Sequence, residues 1–306
     1  MAKQNASVSP ALRRTTGEKV YNVVNIVVLT LFALICTYPF YYLIINSLSD
    51  NNLSAAGEVT WWFKGFHLQN YKDVLALSGL GRAAWISLAR TVIGTVLTVL
   101  ASAYLGFMFT QKKMWGRSFW YRFVVVTMYF NAGLIPMFIT MKNLGLTNNF
   151  WVYILPAVVQ PFNIILVKTY IESIPSSLQE AAEMDGAGTL TIFGKIVLPM
   201  CTPILATVAI FSAVGQWNSF QDTLIYMTDD KLYSLQYLLY TYINQASALA
   251  NAAKANAANV AALASAATPT SIRMTVSVIV VLPIMFVYPF FQRFFVKGMM
   301  LGAVKG

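Results

Sequence analysis

A chain of 306 residues in which 58% are hydrophobic and 10% charged does not suit water as its only solvent, since soluble proteins carry about 25% charged residues. Its net charge of +10 would suggest nucleic acid in a soluble protein, but here the Lys and Arg residues lie beside long uncharged runs, where they orient a chain across a bilayer. No nucleic-acid partner is therefore expected. The two cysteines, Cys36 and Cys201, fall in apolar runs and read as small buried hydrophobes. With His67 the single histidine, no zinc cluster is available. No G-x-x-x-x-G-K-[S/T] run occurs, so the chain has no phosphate-binding loop of its own.

A helix crosses roughly 30 Å of hydrocarbon with about 20 apolar residues, and the sequence offers six such stretches: an all-α, polytopic membrane protein with six spans. Residues 1–19 form a polar tail, and residues 20–46 the first span, with Pro39 near its outer end. This run is too long for the apolar part of a signal peptide and lacks a small-x-small cleavage pattern after it. Residues 47–82 make an outer loop with Trp61, Trp62, Phe63, Phe66 and Tyr71. Such rings either anchor at the headgroup level or meet an external partner. The second span, near 85–109, carries Gly94, Thr98, Ala101, Ser102 and Gly106 as a small-residue stripe, which lets helices approach closely in lipid.

Span three runs near 119–141 with Pro136, and span four near 150–170 with Pro156 and Pro161. Proline frees a carbonyl one turn back; such interruptions suit a translocation path and, equally, gentle kinks in plain packing. Span five covers 196–221 and span six 274–292. Between them, residues 228–273 are the longest outer segment. Within 244–267, 13 of 24 residues are alanine, giving high helix propensity with few bulky groups to pack. One or two docking helices, a flap, or low-complexity coil all fit.

The charges orient the bundle. With the N-terminus inside, Lys3, Arg13, Arg14, Lys19, Lys112, Lys113, Arg117, Arg122, Lys168, Lys195, Arg293, Lys297 and Lys305 are cytoplasmic. Outside are Lys64, Lys72, Arg82, Lys142, Lys231, Lys254 and Arg273. The bias predicts a membrane protein with both termini on the cytoplasmic side. Arg90 falls near or within span two and has three readings: an acid partner, an anionic solute, or snorkelling.

The inner segment 171–199 reads IESIPSSLQEAAEMDGAGTLTIFGKIVLP. Pro175 starts a helix, and Ser176 with Gln179, or Ser177 with Glu180, has capping-box spacing. Leu178, Ala181 and Ala182 line one face, with Glu180 and Glu183 pointing away. Gly186 and Gly188 break the helix; Thr189 caps a second one with Leu190, Phe193 and Ile196 or Val197 as its apolar face. The result is a stiff helix–turn–helix at the cytoplasmic surface. It serves either as an ordinary amphipathic connection or as a handle for another protein.

The run Glu180-Ala181-Ala182, then Gly186, Ile196, Leu198 and Pro199 matches EAA-x3-G-x9-I-x-LP. It resembles the signature of ABC import permeases, of the maltose-permease type. Trp217-Asn218-x-Phe220 and the closing run from Tyr288 to Gly298 resemble the branch importing oligosaccharides, including those from acidic polysaccharides such as alginate or pectin. The resemblance implies a type I ABC importer permease fold over residues 20–306. It implies a second homologous permease, two ATPase subunits that use ATP and Mg2+, and an extracytoplasmic solute-binding protein. Glu180, Ala181, Ala182, Asp185 and Gly186 would form the ATPase contact, with Glu180 meeting an ATPase cation and Gly186 permitting the turn. Lys305 and Gly306 correspond by position to a terminus near the ATPases, and 244–267 to a loop near the binding protein.

Span five also holds Gln216, Trp217, Asn218, Ser219, Gln221 and Asp222. Polar groups in a membrane helix face protein or a water-filled path, and amides match sugar hydroxyls as donors and acceptors. Gln216, Trp217, Asn218, Gln221 and Asp222 are the candidate pathway, with Trp217 covering a sugar face; knitting two permeases together is the other reading. Such a subunit performs no covalent chemistry. A gradient-driven secondary transporter is the competing class, and would call for an internal repeat or paired broken helices.

Overall fold

The computed structural model describes residues 16–255, 272–286 and 289. Helix α1 (Thr16–Ser47) is 32 residues long, so it takes in the last four residues of the predicted tail. Short helices α2 (Asn51–Ala55) and α3 (Gln69–Leu75) organise the following loop. Helix α4 (Leu80–Met108) starts after Gly79, whose φ of +88° turns the chain sharply into the span. Helices α5 (Arg117–Tyr129) and α6 (Leu134–Asn143) follow. A 3-10 turn (Phe150–Tyr153), α7 (Leu155–Val158) and α8 (Pro161–Glu172) come next.

Helix α9 (Ser176–Met184) precedes a continuous helical run built from α10 (Thr189–Ile192), a π turn (Phe193–Val197) and α11 (Leu198–Met200). Helices α12 (Thr202–Asn218) and α13 (Gln221–Tyr226) lead through a 3-10 turn (Asp230–Leu232) to α14 (Leu235–Ala255). The last described helix is α15 (Ile272–Phe286).

Among the described residues two helices, α1 and α4, are each long and apolar enough to cross a membrane unbroken, and up to five crossings result when each bent pair is counted as one. The described part of α15 is apolar but shorter, and the rest of predicted span six lies outside the described residues. The bent pairs are where the expected rods fail. Span three is α5 and α6, bent by 119°. The break falls at residues 130–133, where Gly133 has φ +87°, and not at Pro136. That proline sits in the first turn of α6, where its missing N–H has no intrahelical carbonyl to lose. Span four bends by 43° between α7 and α8. There the cause is Pro161, which cannot bond the carbonyl of Ala157 one turn back. Thr98 Oγ1 on α4 donates to that freed carbonyl at 3.1 Å. Span five bends by 79° between α11 and α12.

Contacts define two ends of the bundle. At one end Gln111 reaches Gln179 and Lys113 reaches Glu183. At the other, Ser47 meets Tyr71, Asn148 meets Thr228, and the Tyr153 hydroxyl donates to Leu232. Helices α5 and α6 join these ends despite their bend: Tyr121 lies against Lys168, and Met141 packs with Tyr153 and Met227.

Helix α4 is the axis, and its small-residue stripe is why. A Cβ on Gly94 would stand 2.9 Å from Gln216 Nε2, and one on Gly106 2.9 Å from Val167 Cγ1. Both α12 and α8 therefore approach closer than any larger residue allows. Core side chains at the first end are Phe107, Val167, Ile171, Ile192, Val197, Cys201 and Val208. At the second, α14 and α15 dock through Leu235, Leu239, Val276 and Val280 onto Val74 and Leu80. Helix α1 stands apart, burying only Ile45, Asn46 and Ser47. Cys36, expected to be buried, is exposed on it, while Cys201 is buried.

Candidate functional site

Two polar regions occupy opposite parts of the bundle. The first is a cleft of about 530 Å³ lined by α4, the turn before α7, the start of α8, and α12–α13. Arg90, 1% exposed, forms its floor. Its Nη1 donates to Asp222 Oδ1 at 3.1 Å, and its Nη2 bonds Asp222 Oδ2. Nε and Nη2 both donate to Gln216 Oε1, at 3.1 and 2.9 Å, and the guanidinium lies 4.3 Å from the centre of the Tyr153 ring. Gln216 Nε2 in turn donates to the Tyr153 carbonyl at 3.0 Å. Thr223 Oγ1 donates to the Tyr153 hydroxyl and meets Ser234 Oγ, and Ser87 Oγ accepts the N–H of Leu235. A planar guanidinium suits this bidentate, aromatic-backed seat. Of the three readings for Arg90, the acid partner is the one found.

The predicted pathway residues divide. Gln216 and Asp222 line the cleft, but both are engaged by Arg90. Trp217 does not line it: its Nε1 donates to the Val280 carbonyl at 3.0 Å, fastening α15 to α12. Asn218 and Gln221 are exposed beyond the lining. Sequence reasoning named Ser219 among the polar groups of span five but missed Tyr153, Gln160, Asn163 and Ser212, which line the cleft with it and with the rings of Phe162 and Phe211. The available signal was Gln160-Pro161-Phe162-Asn163: polar groups flanking a mid-span proline mark a helix break with polar lining. Gln160, Asn163 and Ser212 make no side-chain hydrogen bond among the described residues and remain open to a solute.

The second region is the α9–α11 handle. Helix α9 ends in a Schellman cap: Ala187 N–H bonds the Ala182 carbonyl and Gly186 N–H the Glu183 carbonyl, with Gly186 at φ +80°. Ala182 and Ala187, the apolar pair of that motif, pack on the Phe107–Val167 core. The start is simpler than the spacing predicts. Pro175 is the N-cap without a side-chain bond, and Ser176 is already helical, so the capping boxes do not form. Gly188, not Thr189, precedes the second helix. Its inward face is Ile192, Phe193 and Val197, while Leu190 is 69% exposed.

Glu183 does not point away from the bundle; it pairs with Lys113 at 2.8 Å. Glu180 lines the same shallow cleft beside Thr110, Lys112 and Arg117, and no ion pair reaches it among the described residues. Ala181, Asp185 and Gly186 are exposed, with Met184 at 88%. The π turn above them has a local cause. Leu198 N–H bonds the Phe193 carbonyl five residues back, and this wider turn carries Pro199 past the carbonyl its ring would strike.

This arrangement of a central, axial helix, broken spans and a Gly-hinged handle has relatives. The model of the family described as binding-protein-dependent transport system inner membrane component matches residues 94–301. The chain is 34% identical over 280 residues to the polygalacturonan/rhamnogalacturonan transport system permease protein YtcP of Bacillus subtilis (strain 168), covering 91% of this chain and 96% of that protein. It is 33% identical over 296 residues to Protein LplC of the same organism, covering 96% and 98%. Among solved structures it is similar to a chain of a bacterial ABC transporter involved in the import of the acidic polysaccharide alginate. That match has TM-score 0.77 and 29% identity, over 92% of this chain and 99% of that one. The family match spans the handle and all of the cleft except the α4 residues before Gly94. The chain belongs to the binding-protein-dependent transport system inner membrane components: it has the type I importer permease fold and is a multi-pass ABC permease subunit, not itself an enzyme.

Proposed function

We propose that this subunit passes uronate-containing oligosaccharides through the cytoplasmic membrane, with both termini inside. A second permease completes the pathway and an external solute-binding protein delivers the sugar. The observation that carries this reading is the cleft wall. Gln160, Asn163 and Ser212 offer unengaged amide and hydroxyl groups beside Phe162 and Phe211, the mixture that suits sugar hydroxyls and the apolar faces of sugar rings. The names of the relatives support the acidic class.

Coupling falls to α9. Glu180, Ala181, Asp185 and Gly186 leave an exposed edge, and Ala182 seats that edge on the core, so a push on α9 is passed to the cluster that includes Phe107 and Val167. Two ATPase subunits, using ATP and Mg2+, would grip it; their closure opens the bundle outward, and hydrolysis resets it. A gradient-driven carrier is disfavoured because, among the described residues, Asp222 is the one acid lining the cleft and Arg90 holds it.

Reconstituted with its partners, the complex is expected to take up oligogalacturonates or alginate oligomers only with ATP. ATP-independent uptake, or none across neutral and uronate oligomers, overturns the reading. Glu180→Lys is expected to lower ATPase retention on the purified permease pair; unchanged retention and unchanged coupled hydrolysis would remove Glu180 from the contact.

A further inference from the structure

The cleft poses an electrostatic question. Among the described residues its lining contains one cation, Arg90, which is 1% exposed and bonded to Asp222, Gln216 and the Ser219 carbonyl. The pair is close to neutral, and Arg90 has no donor directed at a solute. A carboxylate-bearing sugar entering here therefore needs another source of positive potential on this wall.

The break in span four supplies one. Val159 and Gln160 are extended, and α8 restarts at Pro161 for 12 residues. A helix start leaves its first N–H groups without intrahelical carbonyls and carries roughly half a positive charge. Pro161 has no N–H, and those of Phe162 and Asn163 make no backbone hydrogen bond; the first such bond runs from Ile164 to the Gln160 carbonyl. Gln160, Phe162 and Asn163 all line the cleft. Independently, Asn163 is only 6% exposed, lines the cleft, and its side chain bonds no protein group among the described residues. Its amide is thus held in the cleft wall with hydrogen-bonding capacity that no protein group uses, free to meet water or a solute.

We propose that the first turn of α8, with the Asn163 amide and the Gln160 side chain, is a carboxylate subsite that holds one uronate residue of the passing oligosaccharide. The helix start attracts the anion, the Asn163 amide donates to a carboxylate oxygen, and Phe162 backs the sugar ring. Weak, single-turn attraction suits a pathway, since a solute that must leave again cannot be held by a full ion pair. This proposal rests on the oligosaccharide reading above and adds to it where the negative charge is sensed.

The test uses the complete complex in vesicles, with binding protein, and compares uptake of trigalacturonate with that of a neutral trisaccharide in competition. Asn163→Asp keeps the side-chain shape and places a like charge at the site, while an acid at a helix start favours the helix. The expected result is a rise of about tenfold or more in the KM for trigalacturonate, with Asn163→Leu giving a smaller rise, in keeping with a lost charge-assisted bond. Preference should move toward the neutral sugar in the Asp variant. If wild-type complex imports trigalacturonate and both variants keep its KM and preference, the subsite is overturned and the importer reading survives. If wild type imports no oligosaccharide, the importer reading fails first. Should the Asp variant not assemble, as judged by size-exclusion elution, Gln160→Glu at the exposed neighbouring position carries the same comparison.

Discussion

At the cleft floor, Arg90, Gln216, Asp222, Tyr153, Thr223 and Ser234 close a hydrogen-bond network on one another, within one chain. At the other end of the bundle, α9 exposes Leu178, Met184 and Glu180, its C-cap exposes Asp185, and α10 exposes Leu190. The Arg90 network is satisfied within the single subunit; the handle leaves apolar and acidic groups exposed, the edge that the proposed ATPase contact would cover. Buried polar groups must be satisfied where they stand, or their desolvation is uncompensated. An exposed amphipathic edge carries no such requirement and can be reserved for a partner. The contrast predicts different mutational signatures at the two ends.

The largest effect is expected at Arg90. Arg90→Met strands the Asp222 carboxylate, 20% exposed, and the Gln216 carbonyl, at a cost of about 3 kcal/mol. Thermal unfolding of the purified complex should drop, and Arg90→Met with Asp222→Leu should recover much of the loss. Equal destabilisation by single and double variants would mean that the pair does not act as a unit. Next comes Gly106→Val, whose Cβ meets Val167 Cγ1 at 2.9 Å and the Lys168 backbone nitrogen at 3.1 Å. Because a backbone atom cannot rotate away, α4 and α8 must separate, at about 1–3 kcal/mol. Gly81→Ala, whose Cβ meets nothing within 4 Å, is the control that should unfold like wild type.

The two regions also differ in how far the sequence discloses them. The handle is local: its Schellman cap needs Gly186 four residues after Ala182 and an apolar residue next, and all of these sit in one short run. The spacing of Gly94, Thr98, Ser102 and Gly106 likewise discloses a contact stripe, because helical periodicity is a local property. The cleft is not local. Arg90 and Asp222 are 132 positions apart, and no spacing rule joins them. Trp217 looked like a sugar platform beside Asn218, yet one residue along a helix is a turn of about 100°, which carries it from Gln216 at the cleft to α15. The 130–133 break was hidden for a different reason: Pro136 drew attention, while Asn131-Ala132-Gly133 ended the helix through backbone freedom at Gly133.

At the handle the effects should be smaller in stability and larger in coupling. Gly186→Ala places a Cβ in open space, so its cost is the left-handed backbone alone, about 1–2 kcal/mol. Relief of that strain would swing α10 against α9. The expected outcome is less solute moved per ATP hydrolysed, with a melting temperature lowered by roughly a few degrees and Gly186→Asn closer to wild type in both, since Asn tolerates this conformation. Equal coupling in the Ala and Asn variants would show that the left-handed turn is not what the handle requires.

The smallest effect tests whether the handle's own ion pair holds it in place. Lys113 and Glu183 meet at 2.8 Å, but their side chains are 81% and 43% exposed, and exposed pairs contribute about 0.2–1 kcal/mol. Lys113→Glu should leave the melting temperature within error, and the charge swap with Glu183→Lys should be indistinguishable from wild type at high salt. A coupling defect in Lys113→Glu that the swap repairs would mean the pair sets the angle of α9 and not its stability. That would extend the self-contained network of the cleft to the moving end, because the 110–117 loop joins α4, which carries Arg90, to the segment that the handle leans on.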